Sequence, residues 1–149
     1  VLILLTGRSG SGKTAAAAIL EFKLPHAVRL SSDAIRPELV EEPRYSDIER
    51  MVVYDELLRR AKEFHRAGGN VILDATFNTA ELRRKVRAIG PMLTVWMRCP
   101  VDVSQKRRHN KGLPPELYEE PTDADLVLDT DKLTPEECAA RVTERIRGA

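Results

Sequence analysis

The chain has 149 residues, 42% hydrophobic and 32% charged, with 24 Lys and Arg against 23 Asp and Glu for a formal net charge of +1. That length suits one domain, residues 1–149, around a single core, and the balanced charge excludes a strongly basic nucleic-acid coat or an acidic solvating tail. No apolar run approaches the ~20 residues of a membrane span, and two cysteines, Cys99 and Cys138, do not make a disulfide scaffold, so a cytoplasmic protein with no membrane partner is the expectation.

Residues 1–5 (VLILL) form a short continuous apolar run, which predicts a buried central strand. The run is too short for a secretory signal and lacks its basic flank. A Gly- and Ser-rich stretch, 7–12, leads into a strong helix former at 13–22, closed by Pro25. A second strand is expected at 26–30, then Ser31-Ser32-Asp33 as the start of a short helix carrying Ile35 and Arg36. Residues 47–67 read as a long helix with Met51, Tyr54, Leu58, Ala61 and His65 on its apolar face, ended by Gly68-Gly69. A third strand, 71–73, stops at Asp74, and a basic helix follows at 79–89. A fourth strand at 92–97 places Trp96 in the core, and a helix rich in Lys and Arg covers 101–110. Residues 111–123 read as loop and 126–128 as a fifth strand. Thr134-Pro135-Glu136-Glu137 then opens the last helix with a capping box.

Strand and helix thus alternate about five times, which implies a doubly wound α/β domain with a five-stranded parallel sheet and helices on both faces. Ligands of such sheets bind beyond the carboxyl ends of the strands. Gly7, Asp33, Asp74 and Cys99 all fall just past strand ends and should converge there.

Gly7-Arg8-Ser9-Gly10-Ser11-Gly12-Lys13-Thr14 fits the phosphate-loop pattern G-x-x-x-x-G-K-[ST], with an apolar strand before it and a helix after it. Its glycines let successive backbone N–H groups point inward onto a polyphosphate at the helix N-terminus. Lys13 reaches the β and γ phosphates in such loops, and the Thr14 hydroxyl binds Mg²⁺. No N-K-x-D guanine signature is present, which favours ATP. Asp33 lies twenty residues after Lys13, with Arg36 one helical turn later. A carboxylate beside a γ-phosphate can accept the proton of an attacking hydroxyl, and an adjacent arginine can hold an anion on the acceptor.

With Val71-Ile72-Leu73-Asp74-Ala75-Thr76, these motifs resemble the P-loop kinases of the polynucleotide kinase and zeta toxin group. The resemblance implies that Asp33 is the general base, that Arg36 orients the acceptor, and that Asp74 and Thr76 lie beside the metal and the acceptor phosphate. Asp74, at a strand end, also suits a carboxylate that holds Mg²⁺ or its water. Arg83 and Arg84 are candidates for acceptor phosphates. In these kinases the segment holding Arg107, Arg108 and Lys111 is the lid, so Arg107 or Arg108 is expected to meet the transferring group. The tail, with Lys111-Gly112-Leu113, Tyr118-Glu119-Glu120-Pro121 and residues 126–138, resembles adenylylsulfate kinase. That family has a longer segment before its Tyr-Glu-x-Pro, including a Phe that sandwiches the substrate adenine.

The expected activity is transfer of the γ-phosphoryl of ATP, with Mg²⁺, to a hydroxyl. A polynucleotide 5′-hydroxyl is the first acceptor, adenylylsulfate the second and another small metabolite the third. An ATP-binding module without transfer is the rival from another class. Cys99, Cys138 and Trp96 are expected to be core residues, and His109 a surface residue.

Overall fold

Residues 1–108 and 117–148 are described by the computed structural model. The apolar opening run forms β1 (Leu2–Thr6), and every residue of it is buried. Its side chains alternate between two cores, as the strand period requires. Leu2 and Leu4 join Leu30, Tyr54, Leu57, Leu73, Phe77 and Val86 on one face of the sheet. Ile3 and Leu5 join Ala17, Leu20, Ile72, Met97, Leu128 and Val142 on the other.

Four more strands flank it: β2 (Ala27–Ser31), β3 (Asn70–Asp74), β4 (Met92–Arg98) and β5 (Leu126–Asp129). All pairings are parallel, in the order β2-β3-β1-β4-β5. The helices are α1 (Lys13–Lys23), α2 (Ser32–Leu39), α3 (Asp47–Arg66), α4 (Ala80–Arg87), α5 (Val101–Arg107) and α6 (Pro135–Arg147). α2, α3 and α4 cover the first core, and α1 and α6 the second. The chain steps from β1 outward to β2 on one side and later to β4 on the other, so the strand order reverses beside β1. That reversal opens the crevice in which such sheets bind ligands. The register sets its floor, because Leu5 and Ser31 both align with Asp74.

Element boundaries agree with the sequence to within one or two residues, apart from the helix expected at 101–110. It is described only to Arg107, and residues 109–110 lie outside the described part. The capping box at Thr134 and Glu137 is present in full. Three expectations need correction. The buried stripe of α3 is Val53, Tyr54, Leu57 and Ala61, and Met51 is 56% exposed. Met51, Val52 and Val53 are consecutive, so the apolar spacing fits two stripes. The stripe that packs includes Tyr54, whose ring meets Phe77 edge-on with centroids 4.9 Å apart. Trp96 is only half-buried and carries the Arg98 guanidinium 5.5 Å above its ring. Cys138 is buried, but Cys99 is half-exposed, and both are free thiols.

Candidate active site

The phosphate loop takes its shape from two left-handed glycines, Gly10 at φ +84° and Gly12 at φ +95°. At Gly10 both the conformation and the space demand glycine. A Cβ there would lie 2.2 Å from the Ser104 carbonyl oxygen and 2.8 Å from the Arg108 nitrogen. The loop therefore packs directly on the end of α5. At Gly12 only the backbone angle matters, since nothing lies within 4 Å of an added Cβ. Lys13 is buried and folds back over the loop, its Nζ donating to the carbonyls of Gly7 and Arg8, both at 2.8 Å, and to Ser11 Oγ at 3.3 Å.

Thr14, on the first turn of α1, donates its hydroxyl to Asp74 Oδ2 at 3.0 Å. Two hard oxygens at a strand end are the donor set that Mg²⁺ takes from a protein, with phosphates and water completing its shell. Among the described residues no cluster of three His, Cys, Asp or Glu could hold a metal alone. Burial pushes the Asp74 carboxyl above the ordinary carboxylate range, and the charge of Lys13 and the Thr14 hydrogen bond oppose this without cancelling it. A carboxyl raised in the folded state contributes stability below its unfolded pKa, and that contribution is lost as pH rises through the folded value. Asp74→Asn should therefore melt higher than the parent at pH 7, with the gap closing near pH 4, an ordinary carboxylate pKa (~3.9). Phosphoryl transfer should fall about 10²-fold or more in the same variant. Calorimetry at the two pH values checks the first part, and an equal or lower melting temperature at pH 7 contradicts it.

A cavity of about 890 Å³ runs from this loop across the ends of β1, β2 and β3. Ser9, Gly10, Gly12, Lys13, Thr14 and Asp74 line one end, and Asp33, Thr76, Arg107 and Arg108 also reach it. Asp33 is exposed on the first turn of α2, where Ser31 occupies the N-cap position without a side-chain cap bond. Cys99, expected at the same edge, lies outside the wall.

Apart from Arg36, the far wall was not legible in the sequence. It comprises Arg36, Arg44, Tyr45, Arg50 and Tyr54. Arg36 is 6% exposed, pairs with Glu49 through Nη1, and stacks its guanidinium 4.5 Å from the Tyr45 ring centroid. The Tyr54 hydroxyl accepts from the Phe77 N–H at 3.0 Å, which fixes the phenol against the turn after β3. Arg44 and Tyr45 stand in a Pro- and Glu-rich connection that reads only as punctuation. Their aromatic and basic character beside Arg36 is the one signal that could have marked them.

Other candidates are placed differently from expectation. Arg83 is buried away from the cavity wall, donating from Nη1 to the Phe77 carbonyl and from Nη2 to the Glu119 carbonyl, each at 2.7 Å. It anchors residues 117–120 instead of facing a ligand. Arg84 is exposed on α4 and also off the wall. The Arg8 guanidinium lies 5.6 Å from the Tyr118 ring centroid, and Gly7 and Ser11 are buried beneath the loop. Burial pushes the Tyr118 hydroxyl up to about 12, and this hydroxyl hydrogen-bonds Thr6 Oγ1 at 2.7 Å. Tyr118 itself is thus tied to the end of β1.

The two lid candidates separate. Arg107 is exposed, with Nη1 on the Thr130 carbonyl at 3.1 Å. Arg108 is buried, with Nη1 on Gln105 Oε1 at 3.1 Å and its backbone against Gly10. His109, Lys111 and the Lys111-Gly112-Leu113 motif lie outside the described residues.

Residues 2–135 match the model of a family described as AAA domain. A probable adenylyl-sulfate kinase of Halalkalibacterium halodurans is 32% identical, over 95% of this chain and 80% of that protein. One from Archaeoglobus fulgidus is 30% identical, over 88% of this chain and 96% of its own length. The solved APS kinase of Mycobacterium tuberculosis, in complex with AMPPNP and APS, superposes with a TM-score of 0.76 at 22% identity, covering 98% of this chain and 96% of that one. Shikimate kinase from Aquifex aeolicus superposes at 0.66 with 18% identity, over 99% and 97% of the two chains. The chain belongs to this AAA-domain family and has the P-loop kinase fold. With its adenylyl-sulfate kinase relatives, it is an ATP-dependent phosphotransferase with a hydroxyl acceptor.

Proposed function

We propose that this kinase phosphorylates a hydroxyl of a small, anionic, nucleotide-like acceptor, and that adenylyl sulfate is that acceptor. One observation carries the reading: one cavity joins the phosphate loop and Asp33 to a wall of three arginines and two tyrosines. Arginines hold phosphate or sulfate oxygens and a tyrosine face stacks on a base. The names of the curated relatives support the same acceptor and reverse the order expected from the sequence, in which a polynucleotide 5′-hydroxyl came first. Arg83, expected to take acceptor phosphates, is committed to backbone carbonyls, which leaves the acceptor's anionic group to the wall of Arg36, Arg44 and Arg50.

In this reading the loop amides and Lys13 hold the β and γ phosphates of ATP. Thr14 and Asp74 would hold Mg²⁺, which supplies charge neutralisation between the phosphates. Asp33 accepts the proton of the acceptor hydroxyl as its oxygen bonds to the γ-phosphorus. The bond from that phosphorus to the bridging oxygen breaks, and ADP leaves. Arg36 places the acceptor's anionic group, and Arg108, whose backbone packs against Gly10 of the phosphate loop, is assigned to the transferring group in preference to Arg107.

Labelled ATP offered with adenylyl sulfate or with a 5′-hydroxyl oligonucleotide tests the reading. Label on adenylyl sulfate, with a kcat/KM at least about tenfold above that for the oligonucleotide, is expected; about 1.4 kcal/mol of acceptor recognition suffices for that ratio. Label on the oligonucleotide alone overturns it.

A further inference from the structure

Glu49 is at the third position of α3, and its own N–H is held by the Ser46 hydroxyl at 3.1 Å. Its side chain turns back across the start of the helix and is 8% exposed. Oε1 accepts from the Arg44 N–H at 2.7 Å. Oε2 accepts from the Tyr45 N–H at 3.0 Å and from Arg36 Nη1. One carboxylate thus ties together three things: the guanidinium of α2, the connection before α3, and α3 itself. The backbone N–H of Arg44, followed by that of Tyr45 and by Arg36, holds this carboxyl below the ordinary range.

Two features show what the tie is for. Tyr45 adopts φ +55°, a conformation that residues with a Cβ avoid unless the surroundings impose it. Its N–H is fixed by Glu49 in that state, which brings the ring under the Arg36 guanidinium. Arg36 Nε is buried without a hydrogen-bond partner among the described residues, on a side chain that lines the cavity. Glu49 thus holds, through Nη1, the guanidinium of a side chain that lines the cavity.

We propose that Glu49 is a positioning residue for the acceptor: it fixes Arg36 and Tyr45 as one preorganised unit on the wall opposite the phosphate loop, and so sets acceptor affinity without setting nucleotide affinity. The proposal rests on the reading that this wall takes the acceptor. A carboxylate that served only to cap α3 would have no reason to couple to Arg36.

The test is calorimetric titration of adenylyl sulfate into protein saturated with ADP, with ADP affinity measured separately. Glu49→Gln keeps the volume and removes the charge. It should weaken adenylyl sulfate about tenfold or more, as expected when a buried charge pair loses one member. Its affinity for ADP should change less than twofold. In an Arg36→Met background, Glu49→Gln should add less than about twofold, because a residue that acts through another loses its effect with it. Glu49→Asp should recover part of the lost affinity. Parallel loss of ADP and adenylyl sulfate affinity, or a full additional loss in the Arg36→Met background, overturns the positioning role and leaves the acceptor reading intact. Failure of the parent protein to bind adenylyl sulfate overturns the acceptor reading and the positioning role together.

Discussion

Asp33→Ala should lower kcat by about 10²–10⁴ while nucleotide binding stays within a few-fold of the parent. The size follows from removal of a general base. The separation of the two effects follows from where Asp33 sits. It lies on the first turn of α2, exposed at the cavity, and Ser31 occupies the N-cap position. The side chain is therefore not part of the packing that holds α2, whose buried residues are Ile35 and Arg36. Asp33→Asn should be as inactive as the alanine variant, since it keeps the shape and loses the base. Equilibrium binding of an ATP analogue beside steady-state transfer checks both parts. Retention of more than about a tenth of the parent rate would place the base elsewhere.

Lys13→Ala should lower kcat/KM by about 10²–10³, with weaker ATP binding as part of the loss. Here binding and transfer fall together, because one ammonium serves both. It donates to the Gly7 and Arg8 carbonyls and so straps the loop, and in the proposed reaction it is the cation that meets the phosphates. Lys13→Arg should not restore activity. A planar guanidinium is larger, and the lysine is buried against two carbonyls and the Ser11 hydroxyl, where a compact point charge fits. Kinetics of both variants, with nucleotide affinity measured separately, decide the point. Near-parent activity in Lys13→Arg would show that the loop tolerates any cation there.

The features read correctly from sequence are those in which a local pattern and its context are one piece of chain. The apolar run at β1, the glycines after it and the helix former from Lys13 all adjoin, so strand, loop and helix specify one another. Asp74 was visible for the same reason, as the residue that ends an apolar strand. The capping box at Thr134 needs only four consecutive residues.

The misread features depend on what packs against a residue. α3 carries apolar residues on two stripes, and packing against the sheet and Phe77 selects the one containing Tyr54 and Leu57. Arg83 shares a helix with Arg84 and Arg87 and looks the same in sequence. The turn of Phe77 and the return of Glu119 bury the first, while Arg84 remains exposed. The wall that Arg44, Tyr45 and Arg50 form beside Arg36 was the least legible part. Arg36 and Glu49 are separated in sequence by 13 positions, across a connection containing Pro43. Nothing in spacing or composition pairs them until that connection folds back on the start of α3. The choice of acceptor shares this difficulty, because the phosphate loop and Asp33 are compatible with several acceptors, while the tail resembling adenylylsulfate kinase points to the acceptor placed second.

In the proposed reaction the cavity brings an acceptor hydroxyl to the γ-phosphate of ATP. Phosphorus-31 NMR of a reaction containing the protein, ATP, Mg²⁺ and adenylyl sulfate observes this directly. A new phosphomonoester resonance should grow as ATP converts to ADP, with inorganic phosphate a minor product. ATP consumed to inorganic phosphate alone, at the same rate with and without adenylyl sulfate, would contradict it.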